Sequence, residues 1–196
     1  MTRSFTITFD YLCPFARIAN EAVVEALESG ADWDVTFAAF SLSQSHVEDG
    51  DADVWDRPAG SAGIRGVTAL EWAVAVRDEF PDAFPTFHVG LFDARHADAA
   101  DVDDPALLRT LTAEAGLSPD EVAGIVAGGT PRKTLAAEHQ DLVDQHAVFG
   151  VPTFIAGGEA VFVRMMERHH RADLERVLDM VEWNRLNEFK RTRIPR

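Results

Sequence analysis

Phe5, Ile7 and Phe9 alternate with Thr6 and Thr8, and a few residues later Pro14 opens a stretch carrying Ile18, Val23, Val24 and Leu27 at helical spacing. A period of two that gives way so abruptly to a period near 3.6 leaves room only for a tight strand-to-helix turn. Gly30 stops the helical pattern, and Trp33 to Phe40 returns to strand character. Residues 4–40 therefore predict a βαβ unit, with parallel strands and a right-handed crossover.

Cys13, the one cysteine of the chain, falls at that strand-to-helix junction. Pro14 suits the first helical turn, where its missing N–H has no intrahelical partner and its φ is already helical. Cys13 is then expected at the helix N-terminus, where unpaired N–H groups and the positive end of the helix dipole favour thiolate and draw the pKa below about 8.5. Asp10 opposes this, because a nearby carboxylate disfavours a second negative charge. The expectation is that the dipole wins. A buried, inert cysteine is the alternative.

The middle of the chain reads as helical. Ser41 to Pro58 is polar and acidic and is expected to be a loop, whereas Val67 to Phe80 has helical spacing and ends at Pro81. Phe84, Phe87, His88 and Leu91 fit a helix better than alternation. Pro105 to Leu117, Ser118 to Gly128 and Pro131 to Ala147 follow as three more helical segments, with proline or Ser-Pro-Asp-Glu starts. The pattern then switches back. Val151 to Ala156 and Ala160 to Val163 flank Gly157-Gly158, a β-hairpin signature, and Arg171 to Phe189 closes the chain as an amphipathic helix.

At 196 residues the chain is expected to form one domain with a helical insertion. Its boundaries are read as 1–40 and 148–196 for the strand-bearing part and 41–147 for the insertion. The net charge of −15 argues against nucleic acid or an anionic membrane as partner, because both are bound through positive charge. The N-terminal residues show no apolar signal segment, and no apolar run approaches 20 residues, so a soluble, cytoplasmic protein is expected. A single cysteine excludes an internal disulfide.

Other chemistry-bearing patterns are weaker. His139 and His146 would lie about 10.5 Å apart along a helix, too far to share one ion easily; no metal is expected. Asp49, Asp51 and Asp53 imitate the start of a calcium loop, but Val54 and Gly60 occupy the positions that need glycine and glutamate. Residues 128–133 lack the order of a phosphate-binding loop.

Two anchors, Phe9-Asp10-Tyr11-Leu12-Cys13-Pro14-Phe15-Ala16 and Phe149-Gly150-Val151-Pro152-Thr153-Phe154, in this order and with this element pattern, resemble the DsbA-like branch of the thioredoxin superfamily over nearly the whole chain. The stretch Asn187 to Arg193 is similar to the tail of mycothiol-dependent reductases in that branch. The resemblance implies an α/β thioredoxin fold with an all-helical insertion and Cys13 as catalytic nucleophile. It also implies a cis peptide bond at Pro152 facing the thiol, and a substrate-binding surface from Pro14, Phe15, Val151, Pro152 and Thr153. Backbone groups of Val151 would then pair with an extended thiol peptide.

The departure from that family is Ala16, which stands where its oxidases carry a second, resolving cysteine. Without it, resolution needs an external thiol. The expected function is a monothiol thiol–disulfide oxidoreductase that uses Cys13 with a low-molecular-weight thiol, mycothiol or glutathione, as cosubstrate and binds no tight cofactor. The alternatives are a thiol-dependent isomerase or glutathione-transferase-like enzyme, related branches of which typically carry serine at this position, and a non-catalytic peptide-binding module. Phe15 is expected as an apolar wall beside the thiol, with burial in the core as the alternative. Arg164 and Arg168 are candidates to meet a carboxylate of a small thiol.

Overall fold

The structure is a computed structural model that describes residues 2–58, 61–185 and 187–188. Four strands form one sheet in the order β2-β1-β3-β4. Strand β1, Arg3–Phe9, runs parallel to β2, Trp33–Ala39, with Phe5 opposite Val35 and Phe9 opposite Ala39. Helix α1, Pro14–Glu28, makes the crossover, and Gly30 takes φ 80° where the chain leaves it. Strand β3, Thr153–Ala156, pairs antiparallel with β1, and β4, Glu159–Phe162, pairs antiparallel with β3. Gly157 and Gly158, both at positive φ, form the two-residue turn between them.

Five helices fill the chain between β2 and β3: α2 Val67–Glu79, α3 Phe84–His96, α4 Pro105–Glu114, α5 Pro119–Ala127 and α6 Thr130–His146. The proline-led starts behave as the sequence suggests. Asp104 and Ser118 cap α4 and α5, accepting from the Ala106 and Glu121 amides. Two single 3₁₀ turns, Gln44–His46 and Val54–Asp56, interrupt the expected loop.

Helix α7 covers Arg171–Val181, shorter than expected. The reason lies in its apolar stripe. Leu174, Leu178 and Val181 are buried, but the next positions on that face are Asn184 and Arg185, both exposed, so further turns have nothing to bury. Leu186, Phe189 and residues 190–193, three of them basic, lie outside the described residues.

One continuous core joins the sheet to the helices. Ile7, Phe9, Tyr11, Phe40, Leu70, Phe87, Leu91, Phe92, Leu135 and Phe154 are all fully buried within it. Fully burying a side chain of this size contributes about 1.5–3 kcal/mol, so the packing of α3 on β1 and α1 fixes the turn that carries Cys13. None of the described helices is long and apolar enough to cross a membrane.

Candidate active site

Cys13 is the N-cap residue of α1, with extended backbone angles (φ −95°, ψ 116°), and Pro14 occupies the first helical turn. The sulfur accepts from the Ala16 amide at 3.4 Å. On its other side the Cys13 Sγ–H donates to the carbonyl oxygen of Val151 at 3.3 Å. Cys13 is half-buried and Pro14 is exposed. The Val151–Pro152 peptide bond is cis.

The two halves of this site are brought together by the sheet. Strands β1 and β3 are antiparallel neighbours, so the turn after Phe9 and the turn before Thr153 meet at one end. Thr8 Oγ1 accepts from the Thr153 amide at 2.8 Å, and the Thr153 hydroxyl donates to the Gly150 carbonyl at 2.7 Å. The Pro152 carbonyl accepts from the Val163 amide. Thr153 was expected at a substrate-binding surface. Its side chain is instead buried and internally satisfied, and it holds the Gly150–Pro152 turn in place; Val151 and Pro152 are buried as well.

The charge state of the sulfur differs from the sequence expectation. The Phe15 and Ala16 amides do favour thiolate, but the loss of water around the half-buried sulfur outweighs them, and the Asp10 carboxyl adds to it. The Cys13 pKa is raised, not lowered. The Val151 carbonyl acts in the same direction, because it can accept from a thiol but offers nothing to a thiolate. Asp10 itself is fully buried. It accepts from the Leu12 amide at 2.8 Å and the Leu42 amide at 2.7 Å, and burial pushes its pKa up to about 7.

A buried polar relay underlies the turn. Asn20 donates its amide protons to the carbonyls of Thr8 and Ala16, which leaves its Oδ1 to accept from His88 Nε2 at 3.1 Å. His88 Nδ1 is then an acceptor and takes the Tyr11 hydroxyl proton at 2.8 Å. Burial holds the imidazole neutral, its pKa lowered to about 3. His96 also reaches this turn and donates Nε2–H to the Tyr11 carbonyl at 2.9 Å. Helix α3 thus grips the residue two before Cys13 at both its side chain and its backbone. Nothing local in the sequence marks His88 and His96 for this, since 77 and 85 residues separate them from Tyr11.

The remaining candidates divide. Phe15 is half-buried and outside the core; the Arg164 guanidinium lies over its ring, 5.3 Å from the centroid. Arg168 is not available to a ligand carboxylate, because buried Glu21 on α1 already accepts from its Nε at 2.7 Å and from its second nitrogen at 2.9 Å. Glu21 also pairs with Arg17, whose other nitrogen contacts Asp93 on α3. His139 is buried and stacked on Phe40, and its Nδ1 accepts from the Ser41 amide. Among the described residues no three His, Cys, Asp or Glu side chains gather as a metal site would require.

Residues 6–171 match the DSBA-like thioredoxin domain family. The chain belongs to that family. DSBA-like proteins are thiol–disulfide oxidoreductases, and the fold described above is theirs. Among solved structures, the chain is similar to a Nitrosomonas europaea protein at 13% identity and TM-score 0.65, covering 94% of this chain and 99% of that one. It is also similar to a Streptomyces coelicolor protein assigned to the DsbA oxidoreductases, at 17% identity and TM-score 0.64 over 96% and 93% of the two chains. BdbD from Bacillus subtilis in its oxidised form aligns at 17% identity and TM-score 0.63, over 92% and 85%. A comparison with curated protein sequences found no match. This DSBA-like chain has a single thiol, and Ala16, fully buried one helical turn along α1, has no sulfur to offer it.

Proposed function

We propose that this DSBA-like chain is a monothiol thiol–disulfide oxidoreductase in which Cys13 is the nucleophile and a low-molecular-weight thiol, mycothiol or glutathione, is the second reactant. Cys13 loses its proton and its thiolate attacks one sulfur of a disulfide R–S–S–R. A Cys13–S–S–R bond forms, the R–S–S–R bond breaks, and RS⁻ leaves with the electron pair. A free small thiol, as thiolate, then attacks the R sulfur of the mixed disulfide. Cys13 leaves as thiolate and regains its proton. Over both steps one disulfide is exchanged for another, and a further small thiol completes reduction of R to RSH.

The observation that carries this reading is the placement of the sulfur, half-exposed at the head of α1 and 3.3 Å from the Val151 carbonyl across the turn. The raised thiol pKa also bears on direction. A DSBA-like oxidant draws its driving force from a stabilised thiolate in the reduced form; Cys13 lacks that stabilisation. It is thus not suited to oxidise strongly.

The test is intact mass after exposure to glutathione disulfide and to mycothiol disulfide, followed by turnover with each free thiol. The expected result is one adduct, lost on addition of the matching thiol and absent in Cys13→Ser, which also loses turnover. No adduct with either disulfide at pH 9 would sink the reading.

A further inference from the structure

Arg164 leaves the end of β4 and lies between two rings, its guanidinium carbon 5.3 Å from the centroid of Phe15 and 5.3 Å from that of Phe162. Phe162 is itself backed by Phe149, which is 71% exposed, at 5.1 Å between centroids. The two rings add cation–π attraction on the guanidinium, while Arg164 as a residue stays exposed. Phe15 stands two residues after Cys13, so this supported cation sits on the rim of the thiol site.

Among the described residues most arginines pair with a carboxylate, and Arg164 is one of four, with Arg65, Arg95 and Arg185, that do not. The chain has 33 acidic residues against 18 basic ones, and Arg3, Arg17, Arg77, Arg132 and Arg168 all bond carboxylates. Among the described residues Arg164 bonds none; its two contacts are aromatic faces. A guanidinium that is positioned but unpaired presents its fork of N–H donors outward, the geometry that takes a carboxylate with two parallel hydrogen bonds.

We infer that Arg164 is the specificity-determining residue of the Cys13 site and that it selects low-molecular-weight disulfides and thiols carrying a carboxylate. The inference rests on Cys13 as nucleophile. Arg164 binds the carboxylate of R–S–S–R and one sulfur is held for attack by the Cys13 thiolate; RS⁻ leaves as described above. A chain with net charge −15 repels anions as a whole, so a free cation on the rim of the Cys13 site favours the approach of such a substrate. Of the two cosubstrates proposed, glutathione carries two carboxylates and mycothiol none, and the inference favours the glutathione type.

The test compares the rate of mixed-disulfide formation at Cys13 with three aliphatic disulfides of different charge: dithiodipropionate, hydroxyethyl disulfide and cystamine. Wild type is compared with Arg164→Gln and Arg164→Lys. Because a change in thiolate fraction affects all three reagents alike, the ratio of rates isolates recognition. The expected result is that Arg164→Gln lowers the dithiodipropionate-to-hydroxyethyl ratio roughly 10- to 100-fold, the range for a lost charge-assisted pair. Arg164→Lys recovers part of it, and added salt shrinks the difference. An unchanged ratio overturns the role of Arg164 while leaving Cys13 as nucleophile. A wild type inert to all three reagents overturns the reading of Cys13 as nucleophile, and this inference with it.

Discussion

The Cys13 sulfur lies 3.3 Å from the carbonyl oxygen of Val151, a residue 138 positions away in the chain, and it donates to that oxygen while accepting from the Ala16 amide. The resting state is therefore a thiol. Burial has raised the pKa at which its proton leaves.

The first prediction concerns that proton. Because only the thiolate reacts, the alkylation rate of Cys13 should climb about tenfold per pH unit between pH 7 and pH 8.5, without levelling. Asp10→Asn removes a neighbouring negative charge and should raise the rate at pH 7. A rate already flat at pH 7 would show that the helix N-terminus outweighs burial.

Stability should depend on pH through groups pulling in opposite directions. His88 and His139 have folded pKa values of about 3 and about 4, below the ordinary 6.5, so unfolding takes up protons and their contribution is lost as pH falls from 6.5. Asp10, raised from 3.8 to about 7, does the reverse: the folded state holds its proton, and its contribution is lost as pH rises through that interval. Asp10→Asn should therefore make the fall in stability on acidification steeper, by roughly 1 kcal/mol per pH unit between pH 5 and 6.5. Urea unfolding of both proteins across that range measures it.

The relay beneath the site gives a third prediction. His88→Leu preserves bulk but leaves the Tyr11 hydroxyl and the Asn20 carbonyl oxygen without partners in a fully buried setting. At about 1–3 kcal/mol per unsatisfied group, it should cost roughly 2–5 kcal/mol. Tyr11→Phe orphans only His88 Nδ1 and should cost about 1–2 kcal/mol. Denaturant midpoints should rank wild type above Tyr11→Phe above His88→Leu.

Gly66 provides a fourth. It precedes α2 at φ 76°, and a Cβ there would stand 3.1 Å from Leu12 Cγ and 3.2 Å from its Cδ1. Leu12 is next to Cys13. Gly66→Ala should cost about 1–2 kcal/mol and should shift the thiol reaction rate through Leu12, whereas Gly158→Ala in the hairpin turn, with nothing within 4 Å, should affect stability alone. Paired thiol kinetics and unfolding curves separate the two effects.

Much of this arrangement was legible in the sequence because it is local. Alternation at Phe5, Ile7 and Phe9 gave β1, the proline-led starts gave α4 and α5, and Gly157-Gly158 gave the hairpin. The place of Cys13 was legible as well, since a cysteine before Pro14 at a helix start is a short-range pattern. What escaped depended on distant partners. The ionisation of Cys13 turns on burial and on a carbonyl from the other end of the chain, and the Arg168 pairing depends on Glu21, 147 residues away. His88 carries no local mark distinguishing a buried relay from a solvated side chain. Helix α7 was overestimated because its polar C-terminal turns kept helical propensity after the apolar stripe had ended.

The order of the strands has a consequence for how the protein is made. The β3 segment emerges late in synthesis, and until it slots beside β1 the sulfur has no carbonyl to meet and no shelter from solvent. The shelter of the thiol is thus a product of pairing between strands from opposite ends of the chain, and a chain lacking β3 would leave Cys13 without it.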